Sequence, residues 1–244
     1  MHKIDRDLGV FTYNDKSSKD FDIIVEKLPS LNRPQRQHDI YRVPGRSGDI
    51  IEQYNAYENI TITYEVWFSN NDINYVSAQK LAREISAWLY SSNGYCRLED
   101  DFEPDIYRLA YFVGDLDIEN LLTRYGRAKI EFNCRPERYY KNGEYILENP
   151  SIIVNNTFFE AKPLIKVEGS GNVEFSIQGQ TVQINNLIDY VYLDCDKQDC
   201  YRQLAENRNS LMVGEFPVLK VGDNNISKSN NITKLSIKPN YWTL

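Results

Sequence analysis

Histidine is scarce in this chain of 244 residues, which has only His2 and His38. Neither lies in a sequence context that pairs it with a nucleophile and a carboxylate, which argues against catalysis by a histidine triad. The sequence also lacks a GxxxxGK[ST] phosphate loop, and it has no CxxC pair with a histidine nearby of the kind that binds zinc. We therefore predict no catalytic, cofactor-binding or metal-binding residues.

Long apolar runs are missing as well. No stretch of about 18 residues is apolar enough to span a bilayer, and the first residues, MHKIDRDLGV, contain no apolar segment typical of a signal peptide. We therefore expect a protein that is folded in a cytoplasm and has no membrane span. In that compartment Cys96, Cys134, Cys195 and Cys200 are predicted to be free thiols, although Cys195 and Cys200 could bridge a hairpin if oxidised.

Basic residues are outnumbered by acidic ones. The chain has 28 Lys and Arg against 35 Asp and Glu, with a net charge of −7. This balance argues against a basic patch that neutralises nucleic-acid phosphates. Aromatic residues are plentiful, and the 18 tyrosines are consistent either with polar-aromatic contact surfaces or with tyrosines packed in a β-rich core.

The first half of the chain shows mainly strand patterns. Between Tyr57 and Phe68 apolar and polar residues alternate, which predicts a half-buried strand. Apolar residues at helical spacing then predict one amphipathic helix over Asp72–Tyr90, capped by Asn70 or Asn71. Further strands are predicted over Asp20–Val25, Gln37–Val43, Tyr107–Val113 and Ala128–Cys134. The pattern indicates antiparallel β-structure covered by a single helix.

The second half contains no helical period. Six short strands are predicted, and the turn-forming segments Gly169–Asn172, Gly179–Gln180 and Gly222–Asn225 separate several of them, as in a β-sandwich. The strands are Leu164–Glu168, Val173–Gln178, Thr181–Asn185, Tyr190–Asp194, Val218–Val221 and Thr233–Lys238. We expect a mainly β protein with an N-terminal domain over residues 1–135, a linker over 136–150 and a C-terminal domain over 151–244.

Two turn-rich blocks are candidate sites. The acidic loop Glu99–Asp105 is predicted to be a solvated turn, with calcium binding or a catalytic carboxylate pair as alternatives. In the block VPGRSGDI, Val43–Ile50, the glycines predict a loop tip that exposes charged side chains. We take Arg46 and Asp49, with their neighbours Arg42 and Ser47, as candidate contacts to another subunit or a tube protein; the alternative is a solvated hairpin.

The order of these blocks carries a resemblance. VPGRSGDI, a strand ending in VWF, a helix ending in AWLYSSNGY, then RLEDDFEPDIYRLA and AKIEFNCRPERYY together resemble the N-terminal domain of siphophage distal tail proteins. The segments AKPLIKVEGSGNVEFSIQG, DYVYLD, GEFPVLKVGDNNI and ITKLSIKPNYWTL resemble the C-terminal domain of the same family. The resemblance covers nearly the whole chain.

The resemblance implies a split-barrel or β-sandwich belt domain with one α-helix, followed by a galectin-like β-sandwich. It implies a hexameric ring at the end of a long non-contractile tail, which joins the tail tube protein to the tail-tip or tail-associated lysin protein. Receptor-binding or accessory baseplate proteins are further expected partners, and DNA is expected to pass through the lumen without specific binding. The protein would be a virion component, assembled in the bacterial cytoplasm, of a phage or prophage.

An alternative function is a carbohydrate-binding accessory module that recognises the host cell wall through the C-terminal domain. Sugar-binding galectins use histidine, asparagine and arginine together with a stacking tryptophan. Residues 151–244 contain no histidine, and Trp242 is the only tryptophan there. The sequence therefore argues against sugar binding at the usual galectin site.

Overall fold

The chain forms two compact units in a computed structural model, which describes residues 9–30, 32–68, 75–114, 127–203 and 206–244. The N-terminal unit comprises Met1–Arg138 with Leu244, and the C-terminal unit comprises Tyr139–Thr243. Among the described residues, no helix combines the length and the apolarity that crossing a bilayer would require.

The described elements are mostly strands. In chain order they are β1 Phe11–Tyr13, β2 Lys16–Ser17, β3 Ile23–Val25, β4 Arg36–Tyr41, β5 Ile50–Tyr57, β6 Ile60–Phe68, α1 Tyr75–Leu89, β7 Cys96–Asp100, β8 Ile106–Phe112, β9 Arg127–Tyr140, β10 Leu147–Glu148, β11 Ile152–Asn155, β12 Leu164–Ile177, β13 Gln180–Asp194, β14 Asp199–Tyr201, β15 Met212–Val213, β16 Gly222–Lys228, β17 Ile232–Lys238 and β18 Trp242–Thr243. The mainly β fold class is confirmed.

The N-terminal unit is built on one sheet with the strand order β2-β1-β7-β8-β9-β6-β3. Helix α1 packs on its inner face, where Trp88 stacks on Phe21 with ring centroids 4.5 Å apart and on Phe11 at 5.6 Å. The Trp88 indole Nε1 donates to the Tyr13 carbonyl over 2.8 Å, which satisfies its only polar atom. The aromatic cluster thus fixes the helix to the sheet.

The alternation predicted for the long strand is confirmed in β6, where Ile60, Ile62, Tyr64 and Val66 are all buried. The predicted helix is also present, and its proposed caps Asn70 and Asn71 lie outside the described residues. The strand predicted over Tyr57–Phe68 is in fact two elements, because β5 ends at Tyr57 and β6 begins at Ile60.

The face of β8 that the core covers carries a charged residue. Arg108 and Ala110 are buried there, whereas on the face that Tyr107, Leu109 and Tyr111 share only Tyr107 is buried and Tyr111 is exposed. An arginine thus faces the core, where its charge is met by buried carboxylates. A pattern that counts only apolar residues assigns such a position to solvent.

The C-terminal unit is a curled antiparallel sheet with the strand order β10-β17-β12-β13-β14, to which β11, β15 and β16 add at the margins. Its core is made by alternating residues of β12, β13 and β17, among them Val167, Phe175, Leu193 and Leu235. The β-sandwich character predicted for this half is confirmed. Its likeness to galectins stays a prediction.

Two of the predicted turns in this unit are strand instead. Gly169–Asn172 lies inside β12, which continues through an irregularity between Gly171 and Val173 while pairing with β13. A Cβ on Gly169 would lie 2.3 Å from the Asn231 carbonyl oxygen, so this glycine permits a close backbone approach. Gly222–Asn225 likewise belongs to β16, and Val218–Val221, predicted as strand, precedes it without forming a strand.

The division into domains at 1–135, 136–150 and 151–244 stays a prediction. In the structure β9 runs to Tyr140, and a 3₁₀ turn follows over Lys141–Glu144. The short strand β10 then pairs with β17 through Leu147 and Ile237. The segment predicted as linker therefore carries regular local structure.

All four cysteines are free, as the sequence predicted, and three of them are buried. Burial is the main cause that raises the pKa of Cys134 and of Cys195 to about 12 and that of Cys200 to about 11. Cys96 is only partly covered. The thiols therefore differ sharply in access.

We expect one thiol of the native protein to react readily with a maleimide or disulfide reagent at pH 8, and all four to react after denaturation. A thiol with a pKa of 11 to 12 is ionised to about one part in a thousand or less at pH 8, and the thiolate is the nucleophile. Peptide mass spectrometry after brief labelling would assign the site to Cys96. Rapid native labelling of Cys195 or Cys200 would contradict this burial.

Candidate subunit interface

The hairpin formed by β4, the tip 42–49 and β5 is the most exposed part of the described N-terminal unit. Its two strands pair only with each other, as a separate two-stranded sheet. Every residue of β4 is exposed. Because an isolated hairpin is at best marginally stable in water, strands of this length are usually covered by something. We call residues 36–57 the exposed hairpin.

The tip of the exposed hairpin has a defined conformation. The Arg46 amide donates to the Val43 carbonyl over 3.1 Å, and Gly45 has φ of +80°. Pro44 precedes this glycine, which gives the Pro-Gly pair that a type II β-turn favours. Gly48, with φ of +85°, then turns the chain back into β5. The block VPGRSGDI is thus a structured tip.

One face of the exposed hairpin is apolar at its centre. Ile40 and Ile51 lie directly opposite each other in the ladder, and they are 53% and 56% exposed. His38 and Gln53, the next pair on this face, are also exposed. Two branched aliphatic side chains in contact with water on an unsupported hairpin are typical of a surface that a partner covers.

The opposite face is acidic and aromatic. Asp39 and Glu52 lie directly across the ladder, as do Tyr41 and Ile50. The Tyr54 hydroxyl donates to Asp39 Oδ2 over 2.7 Å. The negative charge of Asp39 raises the pKa of Tyr41, and the hydrogen bond to Asp39 raises that of Tyr54. Like charges in a cross-strand pair repel, so this face favours a cationic partner.

The four residues chosen from the sequence all lie at the exposed tip. Arg42 and Asp49 face each other across its base with Nε and Oδ1 3.6 Å apart, while Arg46 and Ser47 are exposed between the two glycines. Their role as contacts stays a prediction. Ile40, Ile51 and Tyr54 do not stand out in the sequence, because both faces of β4 and β5 mix apolar with polar residues.

The acidic loop is a turn that is solvated only in part, since Asp101 and Asp105 are exposed. Asp100 is instead buried, and its Oδ2 accepts a 2.7 Å hydrogen bond from the Tyr64 hydroxyl. Arg108, which is 1% exposed, lies 3.6 Å from Asp100 and also pairs with Glu103. Burial, followed by the Asp100 charge, raises the pKa of Tyr64 well above its ordinary value.

This network is structural. Glu103 also binds Arg138, with Nη1 and Oε1 2.7 Å apart, so two arginines meet two carboxylates there. The Asp100 carboxylate also accepts hydrogen bonds from the backbone amides of Phe102 and Glu103. These bonds fix the turn between β7 and β8. Across the described residues, no group of three or more His, Cys, Asp or Glu side chains is arranged to hold a metal ion.

The sequence of the N-terminal unit matches a known family. Residues 14–134 match the phage tail protein RIFT-related domain. This span contains the exposed hairpin, the network around Arg108 and helix α1. No curated protein sequence matches the chain significantly.

Solved structures show a similar fold over almost the whole chain. The crystal structure of phage SPP1 Dit (gp 19.1), described as a paradigm of hub adsorption apparatus in Gram-positive infecting phages, is similar with a TM-score of 0.71 and 10% identity, covering 97% of this chain and 100% of that one. A chain of the phage p2 baseplate in its activated conformation with Sr gives 0.54 and 11%, covering 94% and 97%. The same baseplate with Ca gives 0.51 and 10%, with the same coverage. Residues 14–134 therefore belong to the phage tail RIFT-related family, and the chain as a whole has the distal tail protein fold that the sequence resemblance implied.

Proposed function

We propose that this protein is the ring-forming hub subunit of a long non-contractile phage tail. Six copies close into a ring that joins the last ring of the tail tube to the tail-tip or tail-associated lysin protein. Receptor-binding or accessory baseplate proteins attach to the same hub. The protein is a virion component, assembled in the cytoplasm of the host bacterium. The phage tail domain and the fold shared with SPP1 Dit support this proposal.

The observation that carries the proposal is the exposed hairpin. Both of its faces are open to solvent, although one is apolar and the other pairs two acids with two tyrosines. A closed ring of identical subunits uses a head-to-tail interface, in which each copy meets a different surface of the next. A hairpin that is uncovered on both sides fits between neighbouring copies and leaves no unpaired edge once the ring closes.

The tip residues contribute a polar contact in this arrangement. Arg42 and Arg46 carry positive charge at the end of the exposed hairpin, and Asp39 with Glu52 carries negative charge further along it. The arginines of one copy can thus meet the acids of the next, or a tail tube subunit. Ser47 and Asp49 complete the tip and set its polarity. The lumen of the ring is acidic or neutral, so that DNA slides past it.

Native mass spectrometry combined with negative-stain imaging of the full chain tests the ring. We expect a species of six copies that grows with protein concentration, with a central opening in the images. A protein that stays monomeric at the highest concentration reached would contradict the proposal. A ring with a strongly positive lumen would contradict the proposed passage of DNA.

A tyrosine-rich face of the C-terminal unit favours the second candidate, carbohydrate binding. Tyr192 stacks on Tyr201 with centroids 5.5 Å apart and meets Tyr190 edge-on at 5.8 Å, while Lys166 Nζ lies 4.7 Å from the Tyr190 ring. Aromatic platforms with polar neighbours are able to stack on sugar rings. Pull-down of the full chain with purified host cell walls, repeated with Tyr192→Ala, tests it: equal retention of both proteins rejects this face.

A further inference from the structure

Phe158 is the most exposed of the large apolar side chains in the described residues, with 87% of its surface open to solvent. It lies in the loop between β11 and the bridge residue Ala161. A single exposed leucine or valine needs no explanation, whereas a phenylalanine that is almost fully exposed to solvent is uncommon on the surface of a soluble protein. The question is whether the loop holds it there.

Hydrogen bonds make the loop rigid. Asn155 is 1% exposed, and its Nδ2 donates to the carbonyls of Phe159 over 2.9 Å and of Leu219 over 3.1 Å. Its Oδ1 accepts the Thr157 amide over 3.0 Å. One buried amide side chain therefore fixes the loop backbone on both sides of Phe158, through Thr157 and Phe159, and joins it to Leu219.

The two adjacent phenylalanines point to different surroundings. The Phe159 ring stacks on Trp242 with centroids 4.4 Å apart, and the Trp242 Nε1 donates to the Glu160 carbonyl over 2.9 Å. Phe159 therefore anchors the loop to its own unit, while Phe158 is left outside. A rigid loop that presents one aromatic side chain loses little conformational freedom on binding, which is how strong contact residues in interfaces work.

A groove in the N-terminal unit has the matching chemistry. It lies between the end of α1 and β8, has a volume of about 400 Å³, and is lined mainly by apolar and aromatic side chains. Those that matter here are Leu89, Tyr90, Tyr95, Tyr111 and Phe112. A single aromatic side chain fits within this space.

The walls of the groove are also held in place. The Tyr90 ring meets Phe112 edge-on at 5.0 Å, and its hydroxyl donates to the Gly114 carbonyl. The Tyr95 ring meets Tyr111 at 5.3 Å, and its hydroxyl accepts a 2.6 Å hydrogen bond from Asn59. The hydroxyls are thus engaged within the protein, and the rings remain to form edge and face contacts with an incoming aromatic group.

We propose that Phe158 of one copy docks into this groove of a neighbouring copy. At 87% exposure the Phe158 ring is available to another molecule. Phe158 and the groove lie on different surfaces of the protein, so the contact between copies is head-to-tail. The proposed ring, on which this inference rests, has the same kind of contact. The two surfaces carry opposite charges. Glu160 is close to Phe158 in the loop, and the Arg135 guanidinium lies 4.9 Å from the Tyr95 ring of the groove.

Cysteine pairing tests the contact in the full chain. Phe158→Cys is combined with Asn93→Cys, at the rim of the groove, and a short bis-maleimide is added. We expect a ladder of dimers and larger species on a denaturing gel. The matched control combines Ile188→Cys with Asn93→Cys, since Ile188 is also highly exposed, at 74%, in the same unit. Each single variant shows the background from Cys96.

The outcomes separate this contact from the ring itself. Rings in native mass spectrometry without a ladder above the control overturn the contact and leave the ring standing. Neither rings nor ladder overturns both. A crosslinked monomer places the contact within one chain, and dimers from Phe158→Cys combined with Cys96→Ser show that two loops meet each other; both results reject the proposal.

A second variant measures the energy of the contact. Phe158→Ser is expected to raise the dissociation constant for self-association about tenfold or more, because truncating a buried aromatic anchor has effects of that size. Ile188→Ser is expected to leave it within about twofold. Sedimentation velocity across a concentration series reads out both variants. Equal effects of the two substitutions would contradict a specific role for Phe158.

Discussion

Replacing Arg108 with alanine is expected to lower the free energy of unfolding of the N-terminal unit by about 3–5 kcal/mol, the range found when one partner of a buried ion pair is removed. Arg108 is 1% exposed and pairs with Asp100 and Glu103. Without it the Asp100 carboxylate, which remains buried beside Tyr64, has no cation in contact among the described residues. Urea unfolding followed by tryptophan fluorescence measures the loss, since Trp88 is buried in the same unit.

Two further variants separate charge from shape at this site. Lys80→Ala removes a cation from an exposed helix position, where its pairing with Glu84 at 3.8 Å contributes little, and is expected to change stability by less than about 0.5 kcal/mol. Arg108→Lys keeps the charge but loses the forked donor group that reaches two carboxylates, so an intermediate loss is expected. If Arg108→Ala unfolds at the same urea concentration as Lys80→Ala, the buried network does not stabilise the fold.

Replacing Ile40 with lysine and Ile51 with glutamate is expected to abolish the ring while leaving a folded monomer. The two residues are a direct cross-strand pair, so opposite charges there support the hairpin. Burying the same charges against a neighbouring copy is costly, and we expect the dissociation constant for self-association to rise about a hundredfold or more. The melting temperature of the monomer should stay within about 2 °C, because both side chains are exposed in the single chain.

The matched control places the same charged pair elsewhere. Ser176 and Ser227 are directly opposite in the antiparallel pairing of β12 with β16, with hydroxyl oxygens 2.8 Å apart. Ser176→Lys combined with Ser227→Glu should leave assembly unchanged. Native mass spectrometry of both double variants gives the answer. Six-copy rings formed by the Ile40→Lys, Ile51→Glu protein would remove the exposed hairpin from the interface.

How far the fold follows from the sequence depended on what each strand faces. Alternation predicted β6 correctly because Ile60 to Val66 meet an apolar core on one side. The same pattern does not single out Arg108 as a core residue of β8, because its charge is neutralised by Asp100 and Glu103, which lie in the preceding strand and turn, where no local period reveals them.

Glycine and asparagine misled the prediction of turns for a related reason. Gly169 was taken as a turn residue, but its missing side chain admits the Asn231 carbonyl inside a continuous strand. Asn224 was assigned to a turn and is fully buried in β16, where its Nδ2 donates to the carbonyl of Ile153 on β11 over 3.3 Å. Local propensity cannot anticipate a partner that lies far along the chain.

The candidate interface was only half visible in the sequence. The Pro-Gly and Gly-Asp dipeptides predict an exposed turn, and this prediction singled out Arg46 and Asp49 at the tip. Ile40 and Ile51 could not be singled out, because an apolar residue in a strand is ordinarily evidence for a core. Their exposure follows from the strand pairing, in which β4 and β5 pair only with each other among the strands that the structure describes.

The buried thiols have a consequence for the protein once it leaves the cell. Under the proposed function the protein folds in a reducing cytoplasm and then persists in oxidising surroundings. Hydrogen peroxide and oxygen-derived oxidants attack exposed thiolates, and Cys134, Cys195 and Cys200 are covered and protonated. Cysteine oxidation in the folded protein is therefore confined to Cys96. The core of the C-terminal unit keeps its thiols reduced outside the cell without forming a disulfide.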